Sequence, residues 1–253
     1  MAERDEIIGF CDRLLEIGLF DDYGPNGLQV PGRADVSTVV SGVTANREFL
    51  ARAVEQGAEL AIVHHGLFFG DAGRALSERM AERLRIVLEA RLSVAAYHLP
   101  LDAHRGIGNN ALLCRLLGLE LDERPFAEVR GRAIGVVGRS SAGIEATELV
   151  GRVAAVLERE PLVFDAGPEL VRTVGIVTGA GARAIEEAAG LGLDALITGE
   201  PAEHAMGDAR EAGLHFIAAG HYATERFGIR GLGELIAERF GVEHGFIDVP
   251  NPV

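Results

Sequence analysis

The strongest limit on the fold is the alternation of short apolar runs with segments of helical periodicity. Val36–Val43 is typical of a buried strand, and Asn46–Gln56 follows it with helical spacing. The same order returns at Leu60–Phe69 and Met80–Glu89. Strands that alternate with helices favour an α/β fold. The 33 glycines and the 48% hydrophobic content agree with tight turns between strands and helices around a large core.

A second series of elements follows a polar interruption near the middle of the chain. Asp122–Arg132 is polar and contains Pro125, so we predict a domain boundary there. Further strands are predicted at Ala133–Gly138, Pro161–Phe164, Ala195–Glu200, Leu214–Ala219 and Glu243–Val249, and further helices at Arg4–Ile17, Glu145–Arg159, Ala182–Ala189, Ala205–Ala212 and Leu232–Phe240. The strand from Val174 enters the glycine-rich stretch Thr178–Gly181, which could hold an anion at a helix N-terminus. We interpret it as a tight turn, because it lacks the lysine of a phosphate-binding loop and the full spacing of a dinucleotide fingerprint.

The charge of the chain limits its partners. With 38 acidic and 24 basic residues, the formal net charge is −14. Such a charge repels a nucleic-acid backbone or an anionic membrane, and the sequence has no lysine- and arginine-rich run to offset it. A nucleotide or another small anionic substrate would need bound cations beside it. Nucleic acid is therefore the least favoured partner.

The cysteines and the N-terminus indicate the compartment. Cys11 and Cys114 stand in apolar, helix-like segments and are interpreted as buried thiols, not as a disulfide framework. Met1–Glu6 is too acidic for a signal peptide, and no uncharged apolar run reaches the roughly 18 residues that a membrane span requires. We expect a soluble, cytoplasmic protein.

Imidazoles and carboxylates stand where three predicted strands end. They are His64 and His65 after Leu60–Val63, His98 and Asp102 after Leu92–Tyr97, and His221 and Glu225 after Leu214–Ala219. Ligands of open α/β sheets bind at the carboxyl ends of strands. His221 and Glu225 project from one face if a helix begins after Gly220. Pro100 predicts that His98–His104 is extended or turned, not helical.

Each of these groups also has an interpretation without a metal. His64 and His65 point to opposite faces in a regular strand, so one could be a core histidine and the other a surface one, unless the strand ends there or bends at Gly66. Asp102 could cap the helix that contains Gly108–Cys114. His221 and Glu225 could form an ordinary pair on a solvated helix. Glu203 and His204 could support a site or only begin a helix.

The combination is more specific than its parts. Three imidazoles (His64, His65, His221) and two carboxylates (Asp102, Glu225) are too many ligands for one tetrahedral zinc site. They suit two cations bridged by a carboxylate and a water. Mixed nitrogen and oxygen ligands favour zinc, iron, manganese, cobalt or nickel over calcium.

Six spaced motifs carry a family resemblance that runs nearly end to end. They are Asn26-Gly-Leu-Gln29, His64-His-Gly66, His98-Leu-Pro-Leu-Asp-Ala-His104 with Gly108-Asn-Asn110, Thr198-Gly-Glu200, Ala219-Gly-His-Tyr-Ala-Thr-Glu225 and Phe246-Ile-Asp-Val-Pro-Asn-Pro252. With them the chain resembles the Nif-three-like dinuclear-metal-centre family, also labelled GTP cyclohydrolase I type 2 homologues. Gly66 and Leu99-Pro100, where the commonest family pattern has proline and threonine-asparagine, resemble the short bacterial YbgI-type branch.

The resemblance implies a metal site and an assembly. It implies two divalent metal ions per subunit on His64, His65, Asp102, His221 and Glu225, with Glu225 bridging the ions and His98 nearby. It also implies two interlocking α/β domains with mixed sheets flanked by helices. Residues 1–127 with 221–253 would form the metal-site domain, and residues 128–220 the inserted one. The implied assembly is a ring-shaped homohexamer.

The leading functional hypothesis is a metal-dependent hydrolase, in which His98 and Glu200 transfer protons. The label of the relatives implies hydrolytic opening of a purine nucleotide ring with loss of formate. Two alternatives stay open: hydrolysis of a phosphoester or an amide at the same site, and a non-enzymatic metal-binding or scaffold hexamer. A motif establishes a site better than it establishes a reaction.

Overall fold

A computed structural model of the protein describes residues 1–70 and 75–253. The chain forms two compact units. The first contains Met1–Leu101 and Gly228–Val249, and the second contains Asp102–Phe227 and Pro250–Val253. Each unit has a mixed sheet with helices and a hydrophobic core of its own. The predicted α/β class with mixed sheets is confirmed, whereas the domain limits at residues 127/128 and 220/221 stay a prediction.

The first unit is built on a five-stranded sheet. Its strands are β2 (Gly27–Val30), β4 (Thr38–Thr44), β5 (Leu60–His65), β6 (Ser93–Ala96) and β14 (Glu243–Phe246), and a separate pair is formed by β1 (Ala2–Glu3) and β3 (Asp35–Val36). The strand order is β14-β4-β5-β6-β2. All neighbours are parallel except β2, which is antiparallel to β6. The central strand β5 therefore ends between two parallel neighbours, at the edge where ligands bind in such sheets.

The helices of the first unit include α1 (Arg4–Leu14), α2 (Arg47–Glu55) and α3 (Glu78–Ala90). Side chains cap two of them: Asn46 accepts a hydrogen bond from the Phe49 N–H, and Ser77 accepts one from the Met80 N–H. Phe49 and Leu50 of α2 are buried in the same apolar cluster as Val40 and Val63 of the sheet. Capping and burial together explain why the apolar periodicity predicts these helices well.

The second unit is built on a seven-stranded sheet. Its strands are β7 (Glu120–Leu121), β8 (Phe126–Val129), β9 (Arg132–Glu145), β10 (Leu162–Phe164), β11 (Leu170–Val177), β12 (Ala195–Thr198) and β13 (His215–Ala218). The order is β10-β13-β12-β11-β9-β7, with β8 paired to β9. β12 is parallel to both of its neighbours, β11 and β13, and the remaining strand pairs are antiparallel.

Six further helices occur in the described part of the chain. They are α4 (Leu99–Ala103), α5 (Asn109–Leu116), α6 (Ala146–Leu157), α7 (Ile185–Gly190), α8 (Ala205–Ala212) and α9 (His221–Phe240), and short 3-10 turns occur at Ile17–Leu19 and Ala182–Ala184. The segments after β11, β12 and β13 are tied together by backbone hydrogen bonds, since Gly199 N–H donates to Gly179 and Gly220 N–H donates to Gly199. In the described part of the chain, no helix combines the length and the apolar content that crossing a membrane requires.

Most of the predicted elements are present, but the prediction for His98–His104 is wrong. His98–His104 was expected to be extended or turned, but Leu99–Ala103 is the helix α4. Pro100 lies in its first turn, where the missing proline N–H has no helical partner in any case. The Leu99 N–H at the start of α4 donates to the Asp22 carboxylate. Asp102 lies inside this helix and does not cap α5, whose N-cap residue is Gly108.

Candidate metal centre

Three imidazoles cluster in the first unit. His64 and His65 end β5, and His98 immediately precedes α4. One ring nitrogen of each lies within 4.8 Å of the others, a spacing that could hold a metal ion. The ring centroids of His64 and His65 are 4.8 Å apart. The strand ends at His65, so the alternation of a regular strand does not separate the two rings.

Gly66 makes the abrupt end of β5 sterically feasible. A Cβ atom at this position would lie 2.4 Å from the side-chain amide of Gln29 and 2.7 Å from the Cβ of Ala96. Gln29 Oε1 in turn accepts the Leu67 N–H at 2.8 Å, so the amide cannot simply move away. The residue after the histidine pair therefore has no room for a Cβ atom and must be glycine.

The β5 histidines are oriented through Nδ1. His64 Nδ1 lies 2.9 Å from the backbone oxygen of Tyr97. A carbonyl oxygen only accepts, so Nδ1 carries the proton and the lone pair is on Nε2. His65 Nδ1 pairs with the Thr44 hydroxyl at 3.2 Å. A hydrogen bond from Nδ1 to a protein oxygen is the usual support of a histidine that binds metal through Nε2.

His98 is held by a buried carboxylate. Its Nδ1 donates to Asp22 Oδ1 at 2.7 Å, and the Asp22 side chain is only 2% exposed. Asp22 also accepts from the Asn26 side chain and from the Tyr23 and Leu99 N–H groups. Burial raises the pKa of the Asp22 carboxyl, but its hydrogen bonds, led by His98, outweigh burial and lower the pKa below its ordinary value.

Two carboxylates are buried close together in the second unit. Asp102 and Glu225 are 4% and 3% exposed, and a carboxylate oxygen of one lies within 4.8 Å of an oxygen of the other. The Asn109 side-chain amide donates to Asp102 Oδ1 at 2.8 Å. Two like charges taken out of water at this distance are unfavourable unless positive charge lies beside them. This donor set therefore fits a cation.

His221 supplies positive charge in the same unit. It begins α9, and its Nε2 lies 3.1 Å from Glu225 Oε2, one turn further along the helix. Its Nδ1 donates to Glu200 Oε1 at 2.5 Å. Burial lowers the pKa of His221, but the hydrogen bonds and charges of Glu225 and Glu200 prevail and raise it to about 9. A metal at Nε2 would replace that proton, leaving Glu200 to orient the ring.

The glycine-rich turn after β11 gives the Glu225 carboxylate its space. Gly179 has φ +67°, and a Cβ there would lie 2.1 Å from Glu225 Oε1. The turn is closed by side-chain hydroxyls, because the Gly179 N–H donates to Thr224 and the Gly181 N–H donates to Thr198. These bonds support the interpretation of Thr178–Gly181 as a tight turn, and they add a steric role for its first glycine.

Comparison with known proteins identifies the family. Residues 2–252 match the Duf34/NIF3 (NGG1p interacting factor 3) family. The chain belongs to this family. A Pseudomonas aeruginosa protein named GTP cyclohydrolase 1 type 2 homolog is 43% identical over 242 residues, which cover 96% of this chain and 95% of the relative. An Escherichia coli (strain K12) protein of the same name is 43% identical over 253 residues, 99% of each chain.

A solved structure agrees with the family assignment. Protein ybgI, described as of unknown function, superposes on all of this Duf34/NIF3 chain with a TM-score of 0.93 and 40% sequence identity, and all of that chain is covered. The predicted resemblance to the family and to its YbgI-type branch is thereby confirmed. The names of the relatives describe a homologue of an enzyme, and the reaction of this chain is a separate question.

Within this Duf34/NIF3 protein, the predicted site residues fall into two sets. His64 and His65 lie in the first unit together with His98, while Asp102, His221 and Glu225 lie in the second unit together with Glu200. The assignment of the five ligands and of the two proton-transfer residues stays a prediction. His204 has an ordinary surface role, since its Nδ1 pairs with Asp208 at 2.6 Å on the exposed start of α8.

Two supporting residues were not singled out from the sequence: Asp22 and Thr44, which contact predicted site residues from a loop and from the end of a strand. Asn109 belongs to a family motif and Gly179 to the predicted turn, but the sequence assigned neither a role beside the site. Asp22 stands four residues before the Asn26-Gly-Leu-Gln29 motif, whose first side chain also holds the His98 N–H. Proximity to that motif was the one available signal, because a hydrogen bond between distant parts of the chain leaves no periodic pattern.

Proposed function

We propose that the chain binds two divalent cations through His64, His65, Asp102, His221 and Glu225, with Glu225 bridging them. The observation that carries this proposal is the support of the imidazoles: His64, His65 and His221 each have Nδ1 hydrogen-bonded to a protein oxygen. Histidines that bind metal through Nε2 are oriented in this way. The buried, closely spaced carboxylates of Asp102 and Glu225 give independent support.

The donor atoms indicate the class of cation. Imidazole nitrogens and carboxylate oxygens together favour zinc, iron, manganese, cobalt or nickel, whereas calcium prefers oxygen alone. Neither cysteine is among the proposed ligands: Cys11 and Cys114 are both buried, and neither belongs to the groups that could hold a metal ion in the described residues. Five ligands shared between two cations also leave coordination positions for a substrate, as catalytic sites require.

We further propose a metal-dependent hydrolase that acts on the ring of a purine nucleotide. When bound, such cations lower the pKa of a coordinated water and offset negative charge on a substrate. The name of the relatives supports the purine substrate, and the net charge of −14 supports the need for cations beside an anionic one. His98 would move protons at Nε2, because Asp22 holds its Nδ1. Glu200, whose carboxylate accepts a hydrogen bond from His221, is also predicted to transfer protons.

Formate release from GTP tests the reaction. We expect turnover by the metal-loaded protein, no turnover after chelation, and at least a roughly hundredfold lower kcat in His98→Ala, as for the loss of a general acid-base group. His204→Ala, which removes an exposed histidine outside the site, is the control and should keep wild-type turnover. Release of phosphate without formate would transfer the proposal to phosphoester hydrolysis. Bound metal without any turnover would favour the scaffold alternative.

The assembly is proposed on the resemblance alone. A ring-shaped homohexamer is what the family implies for this chain, and light scattering in solution measures it directly. A mass of six chains would support the ring, and a stable monomer would exclude it.

A further inference from the structure

Two aromatic rings lie exposed beside the histidine cluster of the first unit. Tyr23 and Phe69 are 43% and 42% exposed, more than any other aromatic side chain in the described residues. The Phe69 ring centroid lies 4.9 Å from that of His98 and 5.5 Å from that of His65. The Tyr23 centroid lies 5.9 Å from that of His98. We refer to Tyr23 and Phe69 as the aromatic pair.

Backbone contacts join the two turns that carry the aromatic pair. The Gly70 N–H donates to the Tyr23 carbonyl at 2.7 Å, which joins the two turns that carry the rings. A Cβ at Gly24 would lie 2.3 Å from the Phe68 carbonyl oxygen, so the turns touch where only glycine fits. The rings are thus exposed on supported backbone, a preorganisation that reduces the entropic cost of binding.

We infer that the aromatic pair stacks a planar heteroaromatic ring of the substrate. The two rings are inclined by 34°, with centroids 6.2 Å apart, so they are close enough for one flat ligand to contact both. This inference rests on the proposed function and adds to it a binding surface for the ring that is to be opened. Neither Tyr23 nor Phe69 belongs to the five predicted ligands.

The chemistry of the surroundings selects this ligand over others. Two side chains are far too small a surface for a stable protein interface, which takes about 800 Å² from each partner. An organic cation would also suit aromatic faces, but the divalent cations proposed at His64 and His65 would repel it. A flat, uncharged ring with polar edges can stack on the aromatic pair and still meet the imidazoles. Stacking of this kind tolerates any base, because every base has a π face.

Binding of inosine to the full-length, metal-loaded protein tests the inference. Inosine has a purine ring but no phosphate, so charge does not contribute to its affinity, and ribose serves as the probe without the purine. We expect saturable binding of inosine and none of ribose by calorimetry. Phe69→Ala and Tyr23→Ala should each weaken inosine binding by roughly tenfold, as for the loss of one stacking ring. Phe69→Tyr and Tyr23→Phe, which keep the rings, should stay within about twofold of wild type.

A matched control variant and a measurement of metal content distinguish failure of the stacking inference from failure of the proposed function. Leu116→Ala removes a 51% exposed apolar side chain from the second unit and should leave inosine binding unchanged. Metal content should be unchanged in all these variants. The inference is overturned if wild type does not bind inosine, if both ring deletions bind it normally, or if Leu116→Ala weakens binding equally. Failure of the proposed function would show instead as wild type without metal or without formate release.

Discussion

At the scale of single residues, the close approach of Gly179 to the Glu225 carboxylate limits which residue can stand beside the candidate metal centre. The glycine adopts φ +67°, and a Cβ would lie 2.1 Å from the Glu225 carboxylate and 3.2 Å from His221 Nε2. The position cannot shift freely, because the Gly179 carbonyl accepts hydrogen bonds from the Gly199 and Glu200 N–H groups. Any side chain here must displace the carboxylate or the turn.

Gly179→Ala is therefore expected to lose metal while it keeps its fold. The positive φ costs about 1 kcal/mol for alanine, and the steric conflict moves Glu225 away from its position. Gly192→Ala is a matched control, since Gly192 has φ +64° but no atom within 4 Å of its Cβ position. Both variants should melt a few degrees lower, but only Gly179→Ala should lose metal by elemental analysis. Full metal content in Gly179→Ala would show that this contact does not position Glu225.

At the scale of elements, Asp22 links the first turn of α4 to the histidine cluster. It accepts hydrogen bonds from the Leu99 N–H and from His98 Nδ1. This contact decides the local structure that the sequence could not show. Pro100 alone favours an extended chain, whereas a carboxylate from a residue 77 positions away favours a helix that begins just before the proline.

The folding stability of the protein should depend on the charge of Asp22 in acid. The folded-state pKa of Asp22 is lowered below its ordinary value of 3.8. A lowered carboxyl pKa contributes stability above the unfolded-state pKa, and this stability is lost as the pH falls through the folded-state value. Asp22→Asn should therefore be less stable than wild type by about 2 kcal/mol at pH 7, the scale of a charged hydrogen bond. Its Tm should fall less than that of wild type as the pH is lowered from 4 to 2, the range in which wild type loses this contribution.

The melting of Asp22→Asn and wild type is compared in the presence of a chelator, together with a control variant that removes a charge elsewhere. Chelation ensures that cation binding does not contribute to the melting curves. Asp35→Asn, at an exposed position of β3, provides the charge control and should melt like wild type at neutral pH. Equal stability of Asp22→Asn and wild type at pH 7 would show that the contacts of Asp22 do not stabilise the fold.

The sequence predicts an element well where its apolar pattern is local. The predicted helix Ala205–Ala212 has the limits found in the structure, and the strand predicted from Leu60 begins there, although it ends at His65 and not at Phe69. The pattern fails where distant partners decide. Phe126–Val129 pairs with β9 inside the stretch interpreted as a polar boundary.

The last helix shows why glycines mislead a sequence prediction. Its C-terminal part was predicted from Leu232 onward, but α9 runs without interruption from His221 to Phe240. Gly233 lies inside it, and a Cβ there would be 2.1 Å from His244 Nε2. Glycine is a poor helix former in isolation, yet here it makes room for a ring on β14. Packing of this kind has no signature in the sequence.

The candidate site could be predicted as a set of residue types but not as a geometry. Strand ends and spacing pointed to His64, His65, Asp102, His221 and Glu225, because catalytic and binding groups collect at the carboxyl ends of parallel strands. The groups that orient them come from turns and from backbone carbonyls, as with the Tyr97 oxygen at His64. A backbone carbonyl is present at every residue, so its role cannot be read from residue identity.

At the scale of the whole molecule, both cysteines are fully buried. Burial raises the pKa of Cys11 to about 12 and that of Cys114 to about 11. The thiolate is the reactive form of cysteine. The native protein should therefore give almost no reaction with a chromogenic disulfide reagent at pH 8, and both thiols should react once denaturant unfolds the chain. Rapid reaction of either thiol in the native protein would contradict the described packing.

The central claim is that five side chains bind two cations, and metal content per chain is its most direct test. Elemental analysis of anaerobically purified wild type should give close to two divalent transition-metal ions per chain. Glu225→Gln should lose most of both, because this carboxylate is the proposed bridge between the ions. Glu238→Gln, at an exposed glutamate of the same helix, should keep both. A folded wild type without metal, or Glu225→Gln with two metals per chain, would contradict the dinuclear site.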